Sequence, residues 1–488
     1  MPDLPSPAAA RAHARPPREA TAALLASSLA GFLGALMGSS VNVALPAMGA
    51  ALGADAVTLN WIVTAFLLVS ASLLLPLGGL ADRLGRRRLF ALGLALSIAT
   101  GIASALAPTA STLIALRALQ GVGGALQFST SLAIVVAVTP PARRGAALGI
   151  AVAAVYVGLS VGPFAGGLLT EWLGWRGVFL VPALGTIPAL ALVWWGLPVD
   201  APAPHDGRFD LLGSATYTAA LAALLLGCSA LTDAGGVLLA ALGLLGLGAF
   251  LAIERRLAQP LLDVGRFLAN RVFFLSNLAA MIHYAATSAI GYFLSLYLQS
   301  VRGLRPLDAG LLLVAQPACM AVLSPLAGRL SDRFEPRWLA SSGMVLSALG
   351  LGVLVPIGVA TPLVVVVGAL VLLGVGFALF SSPNTNAVVS AVSSSDLGLA
   401  NATLSTMRNV GQALSMTFAL LLVSVHVGHV QLGPRTTAGL VAAMRAAFGA
   451  FMVATLLGAL ASLARGPRRV AATPAAPAAA RERRGAGP

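Results

Sequence analysis

The chain has 488 residues, 58% hydrophobic and 9% charged, with a mean hydropathy of +0.91; a water-soluble domain of that composition would expose apolar surface and aggregate, so the chain belongs in a bilayer. Its 30 basic residues are all arginine, against 16 acidic ones, for a formal charge of +14. The absence of lysine excludes a Walker A loop, whose Lys contacts the nucleotide phosphates. Arginines gathered in short loops on one side are explained by membrane topology rather than by nucleic-acid binding.

Apolar stretches long enough to cross about 30 Å of hydrocarbon fall near 21–45, 57–80, 88–107, 111–137, 144–169, 175–197, 211–231 and 235–254, then near 271–300, 308–328, 338–357, 362–388, 399–427 and 440–464. This predicts an all-α polytopic membrane protein of about fourteen spans. Residues 1–20 are rich in Pro, Ala and Arg, and the apolar stretch after them is too long for a signal-peptide core, so it reads as a first span. With the N-terminus inside, Arg83, Arg86–Arg88, Arg143, Arg144, Arg255, Arg256 and the cluster after Arg465 are cytoplasmic, while Arg176, Arg302, Arg305 and Arg435 lie outside. The expected location is the inner membrane, with both termini cytoplasmic.

The cassette Gly78-x-Leu80-x-Asp82-Arg83 recurs as Gly328-x-Leu330-x-Asp332-Arg333, 250 positions later, after spans two and ten. A repeat at about half the chain length predicts two related lobes. The division is a tail 1–20, a six-helix lobe 21–197, a linker with two extra helices 198–270, a second six-helix lobe 271–464, and a tail 465–488 too poor in large apolar residues to fold. The extra helices are nearly free of charge and read as lipid-facing packing.

Gly78-Gly-Leu-Ala-Asp82-Arg83-Leu-Gly85-Arg86-Arg87 resembles motif A of the major facilitator superfamily. Leu116-Arg117-Ala-Leu-Gln120-Gly121-Val-Gly123 resembles its motif B, and Gly158-Leu-Ser-Val-Gly162-Pro163-Phe-Ala-Gly166-Gly167 its motif C, the signature of antiporter families. Val41-Asn42-Val43-Ala44-Leu45-Pro46 and Trp61-Ile-Val-Thr64 are similar to the fourteen-span drug:proton antiporters. The resemblance covers almost the whole chain and implies a carrier with alternating access, coupled to protons and acting on small molecules. In it, motif A latches the lobes on the cytoplasmic side, Arg117 serves proton coupling, and motif C favours export. The second cassette departs from the first, with Glu335 and Pro336 where the first has Gly85 and Arg86.

The residues also have readings of their own. Asp82 is placed to cap a neighbouring helix or pair with an arginine, and the arginines hold the hairpin at the inner surface. Gly158, Gly162 and Gly166 share one helix face, an arrangement that also serves plain helix packing, and Pro163 is a site for a bend. Arg117 lies about 9 Å inside the outer end of span four, so it needs a partner or a wet cavity, unless it snorkels outward. Arg408 sits in another apolar span and is close enough to its inner end to snorkel.

None of the 16 acidic residues is placed mid-membrane. Fourteen-span drug antiporters commonly carry an Asp four residues ahead of the Val-Asn-Val-Ala-Leu-Pro stretch, and here that position is Met37. A cavity holding Arg117 and Arg408 with no carboxylate repels lipophilic cations and suits neutral or anionic amphiphiles. Proton coupling then falls to Asp82 or to His283, although a lone membrane histidine also serves as a helix–helix hydrogen-bond partner. Asn42, Gln127, Phe128, Tyr156, Tyr284, Tyr292, Gln316, Asn384 and Asn386 are candidates for the pocket wall. Cys228 and Cys319 lack metal-ligand or disulfide spacing, and nothing calls for a cofactor or metal.

The expected function is a secondary exporter of amphipathic small molecules, acting as a monomer among membrane lipids, with protons and solute as its partners. An organic-anion facilitator or importer is the rival. A membrane-embedded lipid enzyme has no His-Glu-x-x-His and no paired carboxylates to work with.

Overall fold

A computed structural model describes residues 17–140, 143–198, 209–257, 261, 264–392 and 397–466. Both expected tails lie almost wholly outside these residues. Among the described residues, 14 helices are long and apolar enough to cross a membrane: Arg18–Leu52, Ala56–Leu84, Arg86–Ala105, Ala110–Val138, Ala147–Leu173, Gly177–Gly196, Leu211–Ser229, Ala234–Glu254, Arg271–Val301, Pro306–Ser331, Pro336–Leu354, Leu363–Ser390, Ala400–His426 and Pro434–Ala464. They are spans one to fourteen below.

Helix starts follow the local chemistry. Spans two, four, seven and nine begin on Asp55, Thr109, Asp210 and Asn270, whose side chains accept from the backbone N–H of Thr58, Thr112, Gly213 and Phe273 at 2.6 to 3.2 Å. Each satisfies a donor that the first helical turn leaves open. Between spans two and three a single residue, Gly85, turns the chain at φ 102°, a conformation only glycine takes without strain. The second cassette makes the same turn differently. Phe334 is extended at φ −113°, and Glu335 leads into Pro336 at the first helical position. That is the physical reason the glycine is dispensable there.

The two halves repeat one packing scheme. Span one lies on spans five and six, span two on four, and span three on four and six; span nine lies on thirteen and fourteen, ten on twelve, and eleven on twelve and fourteen. The lobes meet through spans one and nine, two and thirteen, and five and ten. The extra pair is not merely lipid-facing, because span seven packs on span two of one lobe and span thirteen of the other. Tyr217 and Thr218 donate to the Ala71 and Ser72 carbonyls at 3.4 and 3.1 Å. An apolar cavity of about 190 Å³ lies along that seam, walled by Leu75, Tyr217, Phe250, Met281 and Val410 among others.

Candidate substrate pathway and gating residues

The two lobes share a polar cluster. The Tyr156 hydroxyl of span five lies 2.7 Å from the Ser381 hydroxyl of span twelve. Arg408 of span thirteen donates to Thr385 Oγ1 at 2.6 Å, and its guanidinium carbon is 5.6 Å from the Tyr284 ring centre. Arg408 is half-buried, and its Nε is enclosed without a partner among the described residues. Its helix starts at Leu397, which places it about 16 Å along the helix from that end. The reach to the cytoplasmic surface considered for it is not used: the side chain turns to Thr385 and Tyr284.

Arg117 does not line this cluster. It is 2% exposed and donates to the Ile62 carbonyl at 3.0 Å and to Gln120 Oε1 at 2.6 Å, with its guanidinium 4.6 Å from the Phe66 ring centre. The charge is held inside the first lobe between spans two and four, so it neither snorkels nor joins the interlobe cluster. Gln120 in turn reaches Met37 Sδ at 3.6 Å. Met37 thus lies beside the Arg117–Gln120 pair on the glutamine side.

His283 also stands outside the cluster. It is fully buried, its ring centre 4.2 Å from that of Phe380 and 5.1 Å from that of Phe377, with the planes tilted. Neither ring nitrogen has a partner among the described residues. Both the proton-relay reading and the helix–helix hydrogen-bond reading need a polar neighbour that this apolar setting does not supply.

Motif C seals helices at two levels. A Cβ on Gly158 would meet the Phe32 carbonyl, and one on Gly166 would lie 2.6 Å from Ser40 Cα, so span five lies directly on span one. Ser40 donates to the Gly162 carbonyl at 2.7 Å. Gly167 faces the other lobe, where a Cβ would lie 2.6 Å from the Pro306 carbonyl; reciprocally, a Cβ on Gly310 would meet the Pro163 carbonyl. Ser295 donates to the Asn42 carbonyl at 2.7 Å and Gln299 to the Val43 carbonyl at 2.8 Å. Asn42 therefore joins the lobes through its backbone, and its side-chain oxygen is buried without a partner among the described residues. Arg305 pairs with Glu171 at 3.3 Å at the same end of the bundle. The halves of the lobes at that end, opposite the one where span one begins, are closed on each other.

At the opposite end, where span two runs into span three, Asp82 pairs with Arg86 of the next helix at 2.8 Å, and both are substantially exposed. Arg83 lies 5.6 Å from the Phe209 ring centre at the foot of span seven. Arg87 donates to the Val193 and Trp194 carbonyls, tying the hairpin to span six. Gly78 has no neighbour nearer to a would-be Cβ than Ser129 Cβ at 3.8 Å, and Gly328 none nearer than Ser382 Cβ at 3.9 Å. In the second cassette Arg333 is exposed, and the Asp332 side chain lies outside the described set. Phe128 is 44% exposed.

Of the other candidates, Gln127 bonds to Ser97 within its lobe, Asn384 to the Ser276 carbonyl and Asn386 to Ser331. Ser381 and Thr385 are not among the candidates the sequence marks. The signal for them is the polar run Ser381-Ser-Pro-Asn-Thr385-Asn386 inside an otherwise apolar span.

A family model described as the Major Facilitator Superfamily matches residues 27–210 and 277–487. The riboflavin transporter RibZ of Clostridioides difficile (strain 630) is 30% identical over 393 residues, 79% of this chain and 84% of that protein. The cephamycin export protein CmcT of Amycolatopsis lactamdurans is 35% identical over 415 residues, 82% of this chain and 84% of that one. The puromycin resistance protein pur8 of Streptomyces alboniger is 34% identical over 394 residues, 78% and 77% of the two chains. Among solved structures, an auto-inhibited POT-family peptide transporter superposes with a TM-score of 0.68 at 18% identity, covering 92% of this chain and 96% of that one. A bacterial homologue of the human lysosomal transporter Spinster gives 0.66 at 17%, covering 92% and 97%. Both likenesses speak to the fold alone.

Proposed function

The chain belongs to the major facilitator superfamily, and from that premise we propose that it is a secondary exporter of amphipathic small molecules, neutral or anionic in preference, driven by inward proton flow. The observation that carries the solute preference is Arg408. It is the charged group in the interlobe cluster, and the acidic residues described, including Asp55, Asp82, Glu171, Asp308 and Glu335, stand at helix ends or in loops. A guanidinium in a partly dehydrated chamber attracts an anion and repels a cation more strongly than it would in water. Tyr156, Tyr284, Ser381 and Thr385 add hydroxyls from both lobes, so a bound solute would touch both halves of a rocking carrier.

Export is supported by motif C, whose glycines build the outer seal, and by relatives named for cephamycin export and puromycin resistance. The arginine distribution supports spans one and fourteen having their free ends on the cytoplasmic side of a plasma membrane. No second copy is needed to complete the cluster, which supports a working monomer.

The test is transport in lipid vesicles with an imposed pH gradient, using a panel of anionic, neutral and cationic amphiphiles. Gradient-driven movement of the anionic and neutral members, reduced by Arg408→Gln, is the expected result. Movement that ignores the gradient would favour the facilitator, and preferential movement of cations would defeat the solute assignment.

A further inference from the structure

The outer seal carries a titratable contact at one corner. His429, in the loop between spans thirteen and fourteen, sits with Nδ1 3.1 Å from Asp55 Oδ2, in the loop between spans one and two. Two more bonds join the same loops across the lobes: the Ala56 N–H donates to the Val430 carbonyl at 3.1 Å, and Gln431 Nε2 to the Gly53 carbonyl at 3.2 Å. We propose that Asp55 and His429 form a proton-sensitive latch that holds the outer face of the carrier shut when the exterior is acidic. This rests on the alternating-access reading above and adds to it a regulated gate.

Position and chemistry decide which partner titrates. Burial alone would raise the Asp55 carboxyl, but hydrogen bonds from the Thr58 side chain and N–H, with His429 beside it, outweigh that and hold it below the usual carboxylate range. Asp55 is therefore ionised throughout the range in which a histidine changes charge. His429 is 72% exposed on its side chain and so stands open to solvent. The remaining charged or titratable groups on the packed elements are engaged elsewhere or stand apart from the pair. His426 bonds through Nδ1 to the Leu422 carbonyl, Arg445 donates to the Ile357 carbonyl, Arg435 is exposed beyond the loop, and Glu19 and Asp82 are at the opposite ends of spans one and two.

The sign follows directly. Protonated His429 facing ionised Asp55 stabilises the joined loops, and loss of the imidazole proton removes that attraction. An outside proton thus favours closure and return of the carrier to the inside, the direction an exporter resets. Because His429 stays at the outer surface, this proton is not carried across; it sets the gate.

The experiment is pulsed electron paramagnetic resonance on the full chain in lipid nanodiscs, with Cys228 and Cys319 replaced by alanine. Nitroxides go on Ala51→Cys and Ala360→Cys, exposed outer positions in the two lobes. The ratio of separated to joined distances is expected to rise about two- to five-fold between about pH 5.5 and about pH 8, the range an exposed ion pair supplies. His429→Gln, and Asp55→Asn, which keeps the helix cap, are expected to hold the high ratio at both pH values. Distances that interconvert but ignore pH, or a pH response that survives both substitutions, would overturn the latch and leave the rocking carrier standing. A single joined distance in every variant would overturn the rocking carrier and the latch together.

Discussion

Arg117 NH1 donates to Gln120 Oε1 at 2.6 Å in a site where the arginine is 2% exposed and the glutamine 1%. One turn of helix thus supplies both a buried charge and the neutral acceptor that makes it tolerable. Removing the acceptor leaves the guanidinium with the Ile62 carbonyl and the Phe66 face. Gln120→Ala is expected to destabilise the first lobe by about 2–3 kcal/mol, as for a hydrogen bond to a buried charge. Thermal unfolding of the purified protein in detergent is the measurement, and an unchanged midpoint would mean that water replaces the glutamine.

Met37 touches Gln120, the acceptor for Arg117, so an acid placed there would stand one side chain from a buried cation. Met37→Asp is expected to be accepted in the fold, to draw Arg117 into an ion pair and to give transport a new dependence on pH. Vesicle transport measured from about pH 5 to about pH 8 in both proteins checks this; parallel profiles would show that the position does not communicate with the pathway.

Arg408→Gln retains a donor for Thr385 and removes the charge. Transport of anionic members of the panel is expected to fall about tenfold or more, the equivalent of roughly 1.4 kcal/mol, while neutral members change little. An equal loss for both classes would point to misfolding or to a purely structural role.

Gly167 and Gly310 let spans five and ten approach backbone to backbone at the outer side. A methyl group on either collides with a carbonyl that cannot move aside, so Gly167→Ala is expected to keep the outer face from closing. The separated population should dominate in the same double-nitroxide measurement, while the midpoint of unfolding shifts little. Gly85→Ala acts elsewhere: at φ 102° it costs about 1–3 kcal/mol and weakens the hairpin between spans two and three.

The chain alone determined the number of spans, their order and the twofold repeat, because a helix must bury each backbone polar group within itself to cross hydrocarbon and so needs an unbroken apolar run. It also determined which glycines approach other helices, since Gly158, Gly162 and Gly166 share a face by helical period alone. It could not determine where a side chain in a span points relative to the other lobe. Arg117 and Arg408 look alike in sequence, and only packing turned one into its own bundle and the other toward Tyr284. His283 and Tyr284 are adjacent, yet about 100° of helix rotation puts the first between two phenylalanines and the second in the shared cluster. Asp55 and His429 are 374 positions apart and meet only because two loops from different lobes close over the same corner.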